Sequence, residues 1–299
     1  MPLWKIIEEA GNDLAELCRT ADAEVYEPRP PDARTLRPQH GETQRRWVAR
    51  AGDGTPIGYA TLTLPSGKVR VVVRADWRRR GLGSELLQWV RATALADGPA
   101  TVYGWAAEHS AGHGFLAARF DQPRGSEEWS LLDLRGRQPG LIDDSLAGWS
   151  GPCPHALRES FSQAHRMLEV APRGSASVTA SLGVIEERAA FAGERWLTLC
   201  ARDHAGVITG FTQVTLPSSA PGVAEQEFTG VLPAARGRGL GRRLKTSMLA
   251  VLIREHPDVR FLVTQNATGN APMLAINQRL GFRLYQRQVA WESRLINPG

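Results

Sequence analysis

The chain is poor in cysteine and contains no long apolar run. Its 299 residues include three cysteines, Cys18, Cys153 and Cys200. They are too few and too far apart for a disulfide framework or a zinc site. They read as core filler in a reduced compartment. No stretch approaches the roughly 20 apolar residues that span a bilayer, so no membrane partner is expected. The opening residues, Met1-Pro-Leu-Trp-Lys5, lack the basic, apolar and small-residue order of a secretory leader. The expected compartment is therefore the cytoplasm. His109 and His113 lie four apart, but only Glu108 accompanies them, and Gly112 and Gly114 argue for a loop, so no metal is expected.

The formal net charge is +5, and arginine supplies most of the basic side. Apart from two glycine turns, the arginines are dispersed. No helix-turn-helix, zinc or RNP-type motif accompanies them, so no nucleic-acid partner is expected. A small polyanion explains the excess better.

Those two turns are the chain's most distinctive feature. Arg78-Arg79-Arg80-Gly81-Leu-Gly83-Ser84 follows an apolar run ending at Val73. Arg236-Gly237-Arg238-Gly239-Leu240-Gly241-Arg242 follows Val231 and lies 158 residues further on. Each sits between a strand pattern and a helix pattern. Backbone N–H groups in such a turn converge on one small space, and the helix dipole adds to their field. This is a phosphate cradle. Its recurrence, in a chain of about two domain lengths, reads as a duplication, with domains at 1–140 and 141–299.

The pattern around the turns repeats as well. Residues 3–21 have helical apolar spacing, and 26–41 are proline-rich and irregular. Strands are expected at 46–51 and 56–64, joined at Asp53-Gly54, and at 69–73. A helix over 84–96, a strand over 101–105, a short helix over 114–119 and a strand over 127–134 complete the first half. In the second half, helices over 154–170 and 183–192 precede strands at 195–202, 207–216 and 226–232. A helix over 240–255, a strand over 259–265, a helix over 272–280 and a strand over 285–293 follow.

Neither turn has the Walker A spacing Gly-x-x-x-x-Gly-Lys-Ser/Thr. Neither has the dinucleotide fingerprint Gly-x-Gly-x-x-Gly in a βαβ series. What fits is Arg-x-x-Gly-x-Gly at a strand-to-helix turn, then strand, helix and Gly281-Phe282. At those positions the chain resembles the GCN5-related N-acetyltransferase (GNAT) superfamily. The run from Thr264 to Asn277 is similar to that of the tandem actinobacterial type, which includes the mycothiol synthases. The resemblance covers nearly all of residues 155–295, and it is thinner over 45–134.

That resemblance implies an α+β (mixed α/β) fold of two tandem GNAT domains, each a mostly antiparallel twisted sheet with flanking helices. It implies transfer of an acetyl or short acyl group from acetyl-CoA to a primary amine of a small-molecule acceptor, by direct attack in a ternary complex. The N–H groups of residues 237–242 and 79–84 would hold the pyrophosphate, with arginine adding charge-assisted contacts. The Val231 N–H would polarise the thioester. Asn266 and Asn270 would bind the pantetheine amides. Glu225 or Glu227 stands where the family places its base. Asn277 stands where the family has a tyrosine acid. In the first half, Gly67 and Val69 replace the two glutamates, so this half is expected to keep CoA-binding geometry without chemistry. A protein that binds CoA without turnover is the alternative. A monomer or homodimer is expected.

Overall fold

The computed structural model describes residues 3–9, 17, 43–169, 195–218 and 220–295. Along the chain the first strands are β1 (Trp4–Glu8), β2 (Thr43–Ala51), β3 (Pro56–Leu64), β4 (Lys68–Val73), β5 (Thr101–Ala107) and β6 (Gln122–Asp133). Then come β7 (Leu146–Ser150), β8 (Arg195–Arg202), β9 (Ile208–Leu216), β10 (Val223–Val231), β11 (Phe261–Ala267) and β12 (Arg283–Arg294). The helices are α1 (Leu82–Asp97), α2 (Ala111–Ala117), α3 (Arg158–Glu169), α4 (Leu240–Glu255) and α5 (Ala271–Leu280). The expected mixed α/β architecture is thus present, with mostly antiparallel strands.

Two units divide these elements. One holds the described residues of Met1–Ser126 and Arg287–Gly299, the other Glu127–Gln286. Strand order in the first is β1-β2-β3-β4-β5-β12, and in the second β6-β11-β10-β9-β8-β7. Neighbours are antiparallel except β4 with β5 and β10 with β11, which run parallel.

The helices form because their apolar residues recur every fourth position. On α1 these are Leu82, Leu86, Val90 and Ala94, all buried. They cover Trp47, Ala49, Ala60 and Leu62 of β2 and β3, in a core that also takes in Ile57. On α4, Leu240, Leu244, Met248 and Leu252 cover Leu197, Leu199, Val214, Ala224 and Leu262. Each fully buried leucine contributes about 1.5–3 kcal/mol. The other face of the second sheet is covered by Phe161, Ala164 and Leu168 of α3, against Cys200, Ile208 and Phe211. Cys153 and Cys200 are buried and reduced, as expected of core filler; Cys18 lies outside the described residues.

Two expectations change. Trp4–Glu8 is a strand, not the start of a helix, and pairs antiparallel with residues 47–51 of β2. Trp4 and Ile6 alternate inward to the first core while Lys5 and Ile7 face out. A period of two is satisfied over these five residues, and pairing with β2 outweighs the helical spacing. Of the remainder of that expected helix, the described Leu17 is buried with Val48, Tyr59 and Val72. The 26–41 connection and the 183–192 helix lie outside the described residues.

The second change concerns the boundary expected at residue 140. Residues Glu127–Asp133 of β6 pair with β11 of the second unit. Residues Gln288–Arg294 of β12 pair with β5 of the first. Each half of the sequence therefore lends its last strand to the other unit, and the division falls after Ser126 and after Gln286. The partners of both strands are fixed by register with residues far away in the chain, so the choice of partner is not locally encoded. Residues 127–286, expressed alone, are expected to unfold in one cooperative transition. Residues 141–299 lack the buried Leu132 and Leu134 and leave an edge of β11 uncovered; they are expected to aggregate. Circular dichroism melts of the two fragments check this.

Candidate functional site

In the second unit, β10 and β11 pair from Val223↔Phe261 to Gln226↔Thr264 and then part. The parting coincides with a β-bulge. Glu225 faces Thr215 and Gln226 faces Val214, but Phe228 already faces Gln213, so Glu227 is the extra residue. A bulge sharpens the local twist and swings a strand away from its neighbour. The Gln226 side chain holds it in place: its Nε2 donates to Gln213 O at 2.7 Å and to Phe228 O at 3.0 Å.

Beyond the bulge β10 keeps β9 and has no register partner on β11. The Leu232 N–H donates to Thr209 O at 2.8 Å, toward β9. Alternation along the strand then turns the Val231 N–H to the opposite, open edge. The two predicted carboxylates lie beside the parting. Thr215 is the register partner of Glu225, and its Oγ1 donates to Glu227 Oε1 at 2.9 Å. Both glutamates therefore share the Thr215 face, the side that α3 covers. Glu225 is half-buried and Glu227 is exposed.

The open edge leads straight into the glycine turn. A short 3-10 turn at Pro233–Ala235 precedes Arg236, and Gly237 and Gly239 have φ values of 78° and 74°. Side chains are disfavoured in that left-handed region. Gly239 caps α4 with no side chain of its own, and the first intrahelical bond runs from Arg243 N–H to Gly239 O at 3.1 Å. The N–H groups of Leu240, Gly241 and Arg242 precede it and face the turn. The space beside Gly237 and Gly239 is open, and a Cβ at Gly241 would sit 3.6 Å from the Ile276 δ-methyl. Arg238 and Arg242 are exposed and join no ion pair among the described residues. Arg236 does something else: its Nε donates to Val231 O at 2.9 Å and locks the turn to the strand end.

The first unit repeats this backbone. Strands β4 and β5 pair only at Lys68↔Tyr103 and Val69↔Gly104 before parting. The Arg74 N–H donates to Ile57 O, which turns the Val73 N–H to the open edge. Arg78 Nε donates to Val73 O at 3.0 Å, as Arg236 does to Val231. Gly81 caps α1 in the left-handed region. Arg79 holds a φ of 64° where the other turn has Gly237. The neighbours differ. Arg80 donates to Asp76 O and lies over Trp77. Ser84 Oγ accepts from Arg119 at 2.8 Å, and the Phe115 ring stands 3.2 Å from where a Cβ on Gly83 would be.

Of the three asparagines, Asn270 caps α5, its side chain accepting from the Met273 N–H at 3.4 Å. Asn266 lies on β11 just past the parting, and its buried Nδ2 has no hydrogen-bond partner. Asn277 is buried, and its Oδ1 accepts from Lys245 Nζ at 2.6 Å. Sequence reasoning passed over Lys245. The signal was its helical phase: positions 241, 245, 248 and 252 form one stripe, and a lysine stands among Gly241, Met248 and Leu252. Desolvation pushes its ammonium down to about 7.

The acetyltransferase (GNAT) family model matches residues 11–117 and 156–282. A mycothiol acetyltransferase of Salinispora tropica is 28% identical over 94% of this chain and 92% of its own. One from Nocardioides sp. is 30% identical over 81% of this chain and 83% of its own. Among solved structures, a tandem GNAT protein from the clavulanic acid biosynthesis pathway superposes with a TM-score of 0.83, at 25% identity, over 99% of this chain and 100% of that one. A GNAT acetyltransferase of Sphaerobacter thermophilus shares the fold, with a TM-score of 0.72 at 17% identity, over 97% and 96% of the two chains. A family match in each half, falling on the two parted strand pairs and the turns that follow them, means that this chain belongs to the acetyltransferase (GNAT) family and carries it in tandem.

Proposed function

We propose that the second unit transfers an acetyl or short acyl group from acyl-CoA to a primary amine of a small-molecule acceptor. The observation that carries this reading is a juxtaposition. In that unit alone, two carboxylates, Glu225 and Glu227, stand where the parallel strands part, one strand-length ahead of the glycine turn.

The residues fit the donor. Amides at the start of α4, the open Gly237 and Gly239, and the exposed Arg238 and Arg242 suit a pyrophosphate. The open β10 edge suits the amide-bearing pantetheine arm, taken up as an added strand. Asn266 holds a buried amide donor with no protein acceptor, which such an arm would satisfy. Acyl-CoA supplies the activated thioester. The amine attacks its carbonyl carbon while Glu225 or Glu227 takes the amine proton, directly or through water. The Val231 N–H, directed at the open edge, stabilises the oxyanion by roughly 3–4 kcal/mol. CoA then leaves as the thiolate, since the side chain in the family's acid slot, Asn277, is buried against Lys245.

The relatives named mycothiol acetyltransferase span 81–94% of the chain, which supports a small-molecule acceptor over a protein one. The first unit keeps the cradle backbone and no carboxylate at the parting, so it binds CoA without turnover. The burial of Asn277 favours one other reading, a protein that holds acyl-CoA and never releases the acyl group.

Thiol release from acetyl-CoA over a panel of small amines separates the two readings. Turnover with at least one amine is expected; tight binding with none would leave the second reading. In the Glu225→Gln, Glu227→Gln double variant, kcat/KM is expected to fall about 10²-fold at neutral pH, with the KM for acetyl-CoA nearly unchanged. Unchanged kcat/KM would remove the glutamates from the mechanism. A Gly241→Asp variant places a carboxylate in the second cradle. It is expected to lose turnover while calorimetry still counts one bound CoA per chain, in the first unit.

A further inference from the structure

Lys245 is an expensive residue to keep in the core. It is 2% exposed, as is its partner Asn277. A leucine at that point in the stripe would avoid the desolvation of an ammonium. The contacts are few: Asn277 Oδ1 at 2.6 Å, Met273 Sδ at 4.0 Å and the face of the Phe282 ring at 5.2 Å. Because Oδ1 accepts from the lysine, Nδ2 points away from it, and that atom is buried with no partner. The pair is thus polar, buried and incompletely satisfied, and fold stability alone does not account for it.

Its place in the helix suggests what it serves. Lys245 lies one turn beyond Gly241 on the same face of α4, about 6 Å along the axis. Helical side chains lean toward the N-terminus, which directs the Lys245 stem back toward the turn that carries the cradle amides. One helix, α5, contacts both positions: Ile276 lies beside Gly241, and Asn277 and Met273 meet Lys245.

We propose that Lys245 is the buried cation of the second unit's anion site, which acts through its field on a bound pyrophosphate and takes up a proton from solvent when that ligand binds. This rests on the acyl-CoA reading of the cradle. A charge in low dielectric is screened less than the surface arginines, so it senses a nearby dianion more strongly. No carboxylate among the described residues contacts it. Glu225 and Glu227 lie on the far face of the sheet, and Arg242, Arg279 and Arg283, on the adjoining elements, make no contact with Nζ. Desolvation alone accounts for its lowered pKa of about 7, so near neutrality the free protein holds a mixture of ammonium and amine. An arriving anion favours the ammonium. Affinity is then highest at low pH and is lost as pH rises through the titration of the bound form.

The test uses the full chain and acetyl-dephospho-CoA, whose pyrophosphate diester and thioester do not titrate between pH 6 and 9. Calorimetry at pH 7.5, in buffers of different ionisation enthalpy, is expected to show uptake of about half a proton on binding to the second unit. Affinity there is expected to fall about tenfold from pH 6 to pH 9. Both effects are expected to vanish in Lys245→Met, and in Lys245→Gln should the first variant fold poorly. The Gly241→Asp variant identifies which binding event belongs to the second unit. Without ligand, the unfolded chain holds the extra proton between about pH 7 and 10.5, so wild-type Tm is expected to rise across that window relative to Lys245→Met. Binding without proton uptake, or an unchanged pH slope in the variants, overturns the role of Lys245 alone. If no acetyl-dephospho-CoA binds at any pH, the acyl-CoA reading falls, and this inference falls with it.

Discussion

The second unit depends on the point where β10 releases β11. Up to Gln226 the two strands pair, and from Glu227 onward they do not. One surplus residue in β10 sits at the parting. It breaks the match with β9, twists the strand and leaves an edge of backbone donors and acceptors without a partner. Such an edge is ordinarily a liability. Here the Gln226 carboxamide satisfies two carbonyls around the irregularity, each bond being worth about 1 kcal/mol, and the bulge becomes a stable feature. The edge then runs without interruption into the glycine turn. A carboxylate pair, a row of open amides and the glycine turn follow one another along the strand.

Comparison of the two units shows which features follow from the backbone and which from particular side chains. Both have parted parallel strands, a 3-10 turn, an arginine folded onto the last strand carbonyl, and a left-handed glycine capping the helix. Even Arg79 adopts the left-handed conformation that Gly237 adopts without strain. That conformation costs an ordinary residue about 1–2 kcal/mol, so the first turn keeps its shape against local preference. Its surroundings have diverged. Ser84 is engaged by Arg119, and Phe115 presses on Gly83. No glutamate stands where its strands part.

Much of this was legible in the sequence because it is short-range. Asp53-Gly54 announces a hairpin, the four-residue apolar spacing announces α1 and α4, and the glycines announce a left-handed turn ahead of each helix. The roles of individual polar residues were less legible, since one side chain can serve several purposes. Arg236 has the charge to meet a phosphate, and its Nε is occupied by Val231 O. Asn270 has the amide to meet a pantetheine carbonyl, and it caps α5. Asn266 retains an open donor. Whether a polar atom remains available is set by neighbours that fold up from elsewhere in the chain.

The sequence by itself determined the family, the duplication and the backbone of both glycine turns, because these rest on residues close together in the chain. Tertiary structure decided three things that local pattern does not contain. Residues 4–8 became a strand because β2 offered an edge. β6 and β12 pair outside their own half of the sequence because long-range register with β11 and β5 selects their partners. Lys245 became a buried polar residue because α5 closes over it and supplies one amide oxygen and little else. Each outcome depends on which surfaces meet, and those contacts join residues far apart in the sequence.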